Sequence, residues 1–145
     1  MRLFKAFIFV SFLYTHQASA ESRSSAWILE YIDSVNVEIV DRIKDGCWTN
    51  LKEVREYAEE KLRSKRLKVK DFDGEYTLRI YGFGQKSPFC HAYLELSLMS
   101  VAKNWDGLES TEFTLLSQGS LIYHASKLNS DIVNFTQEFM KMFEE

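Results

Sequence analysis

Apolar residues recur every three or four positions from Trp27 to Ile43, which predicts an amphipathic helix. Ser24 or Ser25 is available to cap this helix, and Gly46 is available to end it. Within the same stretch, the segment from Val35 to Ile39 alternates between apolar and polar residues in the manner of a strand. We therefore predict a helix here, with a strand as the alternative for its second half.

Two further segments have the helical period. Asn50 precedes the first of them and has Glu53 three residues on, which is the spacing of a capping box. The last segment follows Asn129 and Ser130 and predicts a C-terminal helix with an apolar stripe that needs a partner surface. The two stripes consist of Leu51, Val54, Tyr57, Ala58 and Leu62, and of Ile132, Phe135, Phe139, Met142 and Phe143.

Between these helices the period changes to two, which is typical of strands. The dipeptide Asp73-Gly74 favours a tight type I′ turn and predicts a hairpin around it. Pairing outward from that turn places Lys68 opposite Arg79, so that the basic residues share one face of the hairpin and the apolar residues share the other. The stretch Gly82-Phe83-Gly84 is interpreted as the start of the next hairpin loop.

A third strand is predicted from Phe89 to Val101, because its apolar residues alternate with polar ones. Two more strands are predicted on either side of Gln118-Gly119, from Phe113 to Ser117 and from Ser120 to Ala125. The predicted fold is α+β: two N-terminal helices, an antiparallel meander of four or five strands and a C-terminal helix, with the helices on one face of the sheet.

The first residues have the order of an export signal. Arg2 and Lys5 precede an uncharged, mostly apolar run from Ala6 to Tyr14, and Ala18-Ser19-Ala20 offers the small residues of a cleavage site. A membrane anchor is the alternative, but the apolar run is about half of what a bilayer requires. We predict a cleavable signal peptide at residues 1–20, a single globular domain at residues 21–145, and a secreted or periplasmic location.

Removal of the predicted leader leaves 16 basic and 21 acidic residues, a formal net charge of −5. This charge disfavours general binding to nucleic acids or anionic membranes. The length fits one domain with a substantial core, and the single proline and the lack of repeats indicate no linker.

The chain contains two cysteines, Cys47 and Cys90. In an exported protein such a pair predicts a disulfide bond, because oxidising compartments preserve disulfides. Cys47 lies in the turn between the two predicted N-terminal helices, and Cys90 faces the side of the sheet that those helices cover. Two buried free thiols are the alternative, and they would indicate a reducing compartment.

No motif indicates a catalytic centre, a metal site or a cofactor. Cys90 and His91 resemble a nucleophile beside a base, but neighbouring strand residues point to opposite faces of the sheet. Together with Cys47 and His124, they lack the close spacing of zinc ligands. We therefore predict no catalytic residue, no metal and no cofactor.

The sheet face away from the helices is the candidate working surface. The predicted register places Arg79 beside Tyr93 and Tyr81 beside His91, with Lys68 on the neighbouring strand. Tyrosine, arginine and histidine suit protein recognition because they combine rigid contact area with polar tips. Simple solvation of one sheet face is the alternative interpretation.

These observations predict a small exported binding protein, an adaptor or an inhibitor, with an acidic protein partner and no nucleic-acid partner. A small acid–base hydrolase that uses His91, Glu95 and Tyr93 is the first alternative. A subunit of an envelope assembly, in which a partner covers the same face, is the second.

Overall fold

The computed structural model describes residues 31–103, 110–123 and 127–143, so the predicted leader lies outside the described residues. The described residues form a five-stranded sheet and two helices. This architecture confirms the α+β class, but the number and order of the elements differ from the prediction. The strands are β1 (Ser34–Ile43), β2 (Lys68–Lys70), β3 (Tyr76–Lys86), β4 (Cys90–Lys103) and β5 (Ser110–Tyr123), and the helices are α1 (Leu51–Ser64) and α2 (Leu128–Lys141).

The first predicted helix is wrong over its described part, where the chain forms β1. Val35 and Val37 are buried, and Asn36 and Glu38 are only partly exposed on the opposite face. The apolar–polar alternation from Val35 to Ile39 therefore predicts the structure of this segment correctly, and its helical spacing does not. Three of those five residues are β-branched, which favours a half-buried pleated surface.

The predicted antiparallel meander is also wrong, because the sheet is mixed. Its strand order is β2-β1-β3-β4-β5, and β1 runs parallel to both of its neighbours. α1 supplies the crossover that a parallel β1–β2 pair requires. Asp73 has a positive φ of 56°, but the segment leads from β2 past the start of β1 to β3, and β2 and β3 run in the same direction rather than forming a hairpin. A side chain at position 74 would lie 2.6 Å from the backbone nitrogen of Asn36.

Two predicted turns are continuous strand instead. β3 runs through Gly82-Phe83-Gly84 as far as Lys86, and β5 runs through Gln118-Gly119. Gly82 and Gly119 each lie close to an aromatic side chain. A side chain at position 82 would meet the ring of Trp48 at 2.8 Å, and one at position 119 would meet the hydroxyl of Tyr93 at 2.5 Å. Close approach, and not turning, explains the two glycines.

Both helices pack on the same face of the sheet, as predicted. α1 buries Val54, Ala58 and Leu62, which repeat every four residues, and α2 buries a second apolar stripe. The fully buried side chains of the sheet lie beneath them, and each contributes roughly 1.5–3 kcal/mol of burial free energy. They include Leu78, Ile80, Leu94 and Leu96 from the two central antiparallel strands. Neither described helix is long and apolar enough to cross a bilayer.

The predicted disulfide is confirmed. Cys47 and Cys90 are bonded at an S–S distance of 2.05 Å, with their Cα atoms 5.8 Å apart. The bond joins the turn after β1 to the first residue of β4. It therefore fastens the end of the sheet at which β1 and β3 finish and β4 begins.

Candidate functional site

The sheet face away from the helices, here called the outer face, carries all five side chains proposed from the sequence. On β3 it presents Arg79 and Tyr81, and on β4 it presents His91 and Tyr93, because these alternate with the buried positions of each strand. Lys68 pairs with Ser34 at the β2 edge of the same face. The prediction that these residues share a face agrees with the register.

The predicted neighbours within this face are wrong. Arg79 pairs with Ser97 and Tyr81 pairs with Glu95, whereas Tyr93 pairs with Phe83 and His91 pairs with Gln85. The β3–β4 connection is centred on Pro88, so the register is shifted by four residues from the prediction, which centred the loop on Lys86. Because the shift is an even number of residues, each side chain stays on the predicted face of the sheet. The predicted neighbours, however, lie at different positions along that face.

Lys68 does not join Arg79, because β1 lies between their strands. It lies with Lys70 on β2, a three-residue strand at the edge of the sheet. Lys70 Nζ donates a hydrogen bond to the Asp73 carbonyl oxygen at 3.3 Å. Lysines on a short edge strand disfavour pairing with another chain. The predicted basic cluster therefore does not form.

One end of the outer face, which we call the charged end, consists of Arg79, Glu38 and Glu112. Arg79 Nε lies 2.6 Å from Glu38 Oε2, and Arg79 Nη1 lies 3.6 Å from Glu112 Oε2. The hydrogen bond to Glu38 is the main cause that raises the pKa of Arg79. The arginine charge is therefore matched by two carboxylates of the same sheet face.

The opposite end, which we call the aromatic end, consists of Phe83, His91, Tyr93, Leu121 and Tyr123. Phe83, Tyr93 and Leu121 form one row across three strands, and His91 and Tyr123 belong to the next row. Phe83 is 57% exposed, Leu121 is 60% exposed and Tyr123 is 66% exposed. Large apolar side chains that stand exposed together are typical of binding surfaces.

The aromatic end is concave. A hollow of about 380 Å³ is lined by its five residues together with Lys44, Gly84, Gln85, Ala92 and Ile122. A second hollow of about 300 Å³ shares His91 and Tyr123 with the first and extends to Phe89 beside the disulfide. The first hollow has the size and the apolar lining of a site that accepts a small group or a side chain.

Tyr93 connects the two ends. Its ring covers Gly119, and its hydroxyl donates a hydrogen bond to Glu95 Oε2 at 3.2 Å. Desolvation raises the pKa of Tyr93, and the charge and hydrogen bond of Glu95 raise it further. Glu95 thereby holds the ring in a fixed position at the edge of the larger hollow.

The alternative acid–base site does not assemble. His91 and Glu95 lie four residues apart on β4, which corresponds to about 13 Å along an extended strand. His91 Nδ1 lies 3.2 Å from the carbonyl oxygen of Phe89, while Glu95 accepts the hydrogen bond from Tyr93. Cys90 is part of the disulfide and offers no thiol.

Sequence reasoning missed Phe83, Leu121 and Tyr123. The two glycines that flank Phe83 favour a loop, and Gln118-Gly119 favours a turn, so the pattern does not define which faces the following residues present. The alternation of Leu121, Ile122 and Tyr123 was the available signal, since Ile122 is buried and its two neighbours are exposed. The described residues contain no cluster of three or more His, Cys, Asp or Glu side chains arranged for a metal ion.

No protein-family model matches the chain, and no curated protein matches it in sequence. Among solved structures the chain is similar to the crystal structure of a minor lipoprotein from Acinetobacter baumannii. The two are 11% identical, the match covers 77% of this chain and 90% of that chain, and the TM-score is 0.32. A similarity at this level carries no argument about fold or function, so the candidate site is assessed from its own geometry.

Proposed function

We propose that this protein is a small exported binding protein, an adaptor or an inhibitor, that recognises a protein partner through the aromatic end of its outer face. The observation that carries the proposal is the cross-strand row of Phe83, Tyr93 and Leu121 beside an open hollow. Exposed aromatic and aliphatic side chains around a shallow hollow resemble the anchor positions that dominate protein–protein affinity.

The export part of the proposal combines two features. The disulfide between Cys47 and Cys90 is typical of a protein that folds in an oxidising, extracytoplasmic compartment. The order of charge, apolar run and small residues before Glu21 supplies the predicted export signal. Secretion and periplasmic residence both satisfy these features.

The charged end is a weaker candidate for recognition than the sequence suggested. Arg79 already has two carboxylate partners, so a docking acidic group would compete with Glu38 and Glu112. Exchange of one surface ion pair for another yields little free energy. The aromatic end lacks such internal competition, because burial of its exposed apolar area is favourable with any matching surface.

Affinity capture from the native compartment tests the proposal. The double variant Phe83→Ser/Leu121→Ser should retain less than a tenth of the partner that the wild-type protein captures, which corresponds to about 1.4 kcal/mol or more of binding free energy. Both side chains are already mostly exposed, so the fold should remain intact.

Phe72→Ser is the matched control, since Phe72 is 75% exposed and lies just before the start of β3, far along the strand from Phe83. It removes a comparable exposed aromatic ring without touching the aromatic end. Equal loss of partner by both variants would indicate nonspecific hydrophobic capture. Full retention by the folded double variant would contradict the proposed surface.

A further inference from the structure

The larger hollow at the aromatic end has an uneven charge lining. The ten described residues that line it include Lys44 and His91 but no aspartate or glutamate. This composition differs from the whole chain, in which acidic residues outnumber lysines and arginines. The described lining is therefore mainly apolar, with a cation at its border and no carboxylate within it.

Lys44 has a defined place at that border. Its backbone nitrogen donates a hydrogen bond to the Gly84 carbonyl oxygen at 3.0 Å, which continues the pairing of β1 with β3 by one residue. Its side chain is exposed, and the ion pairs found among the described residues do not include it. The neighbouring carboxylate of Asp45 accepts a hydrogen bond from the backbone nitrogen of Lys86 at 3.3 Å. Lys44 therefore differs from Arg79, whose charge two carboxylates already match.

The position of Lys44 relative to the apolar residues suggests the shape of the occupant. Lys44 follows β1, whereas Leu121 and Tyr123 lie on β5, three strand spacings away in the sheet. Three spacings amount to about 14 Å. An occupant that fills the hollow and also pairs with Lys44 therefore carries an apolar group over the β3–β5 side and a negative group at the β1 border.

The exposure of the rim favours a segment of a protein over a free small molecule. Sites for free apolar ligands bury most of the ligand surface. Here Phe83, Leu121 and Tyr123 each remain more than half exposed, so a small ligand would keep one side in water. A docked protein would cover both the rim and the inserted side chain.

We infer that the partner protein inserts an apolar side chain into this hollow and places an adjacent carboxylate against Lys44. The inference rests on the proposed function and adds the chemistry of the partner segment. It also changes the source of the expected preference for an acidic partner from Arg79 to Lys44.

N-acetylphenylalanine and its neutral amide are matched probes for this chemistry, since they differ only in the carboxylate. Titration of the purified, disulfide-bonded protein with each probe, followed by backbone NMR, should shift the resonances of Gly84, Gln85, Ala92 and Ile122. The free acid should bind about threefold more tightly than the amide, the effect of one exposed ion pair. About 0.5 M salt should remove most of that difference.

Substitution of the lysine separates its charge from its bulk. Lys44→Met should bring the affinities of the acid and the amide to the same value, while Lys44→Arg should preserve the preference for the acid. Lys86→Met is the matched control, because Lys86 is an exposed lysine at the end of β3 that does not line the hollow. It should leave the threefold preference unchanged.

Three results would overturn the inference. The first is equal binding of the acid and the amide by the wild-type protein, and the second is a preference that survives in Lys44→Met. The third is decanoate binding more than a hundredfold tighter than N-acetylphenylalanine, which would identify a free amphiphile as the occupant. If capture of the partner still required Phe83 and Leu121 after either of the first two results, the proposed function would stand without this chemistry.

Discussion

The two ends of the outer face share strands β3 and β5 and yet differ in what they leave exposed. At the charged end, Arg79, Glu38 and Glu112 satisfy one another within the sheet. At the aromatic end, Phe83, Leu121 and Tyr123 have more than half of their surface exposed to solvent. The comparison indicates that the free energy available for binding lies with the unsatisfied apolar surface and not with the neutralised charges.

The difference between the ends follows from the lengths of the strands. β1 pairs with β3 as far as Ile43 and Gly84, so at the charged end it supplies Glu38 beside Arg79. Beyond Gly84 the β1 strand has ended, and among the described residues Lys44 borders the hollow from that side. β1 still pairs Arg42 with Phe83, but the next row, which contains His91 and Tyr123, has no β1 residue paired beside it.

Loss of the disulfide should have the largest effect, because it fastens the aromatic end to the turn after β1. The double variant Cys47→Ser/Cys90→Ser should lower the free energy of unfolding by about 4 kcal/mol, given a sequence separation of 43 residues and the loop-entropy relation. Urea unfolding of the variant and of the oxidised wild-type protein measures this loss. A loss below about 1 kcal/mol would show that the aromatic end is held by packing alone.

Removal of the Arg79 charge at the charged end should have a smaller effect on the free energy of unfolding and no effect on partner binding. Arg79→Met should lower the free energy of unfolding by about 1 kcal/mol, because it leaves Glu38 and Glu112 near each other without their shared partner. Capture of the partner should remain at the wild-type level. A tenfold loss of capture by a variant that remains folded would return the recognition role to the charged end.

The smallest effect concerns Tyr93, at the boundary between the two ends. Desolvation, assisted by Glu95, raises its pKa above the usual 10.0, so the folded protein holds the phenol proton more tightly than the unfolded chain does. The resulting stabilisation is fully present below pH 10 and is lost as the pH rises through the folded-state pKa.

An ultraviolet titration, with Tyr93→Phe to assign the signal, should therefore show Tyr93 ionising above pH 10. Glu95→Gln should lower this pKa without returning it fully to 10.0, since the desolvation remains. An unchanged pKa in Glu95→Gln would mean that Glu95 does not hold the ring in solution.

The spacing of apolar residues predicted those elements whose structure depends on neighbouring residues in the sequence. Both described helices, the alternation of β4 and the pairing of Cys47 with Cys90 agree with the expectation from spacing and composition. The position of β1 between β2 and β3 was not predicted, because parallel pairing joins residues about 40 positions apart and leaves no turn signal between them. Asp73-Gly74 supplied a hairpin signal that this non-local pairing overrode.

The candidate site was predicted in part for a similar reason. The face of each strand follows from its alternation, so Arg79, Tyr81, His91 and Tyr93 were assigned to one surface. Their order along that surface depends on the position of the β3–β4 turn, and a two-residue difference in its centre, which shifts the register by four residues, separated Arg79 from Tyr93. Glycines that lie close to aromatic rings have the same sequence appearance as glycines in turns, which concealed Phe83 and Leu121.

Site-specific photo-cross-linking tests most directly whether the aromatic end contacts the partner. Leu121 and Thr114 are both exposed on β5, seven residues or about 23 Å apart. Leu121 lines the larger hollow at the aromatic end, whereas Thr114 lines a separate hollow that it shares with Arg79 of the charged end. With benzoylphenylalanine at one position or the other, position 121 should yield a covalent adduct with the partner and position 114 should yield several-fold less. Adduct formation mainly at position 114 would contradict the assignment of recognition to the aromatic end.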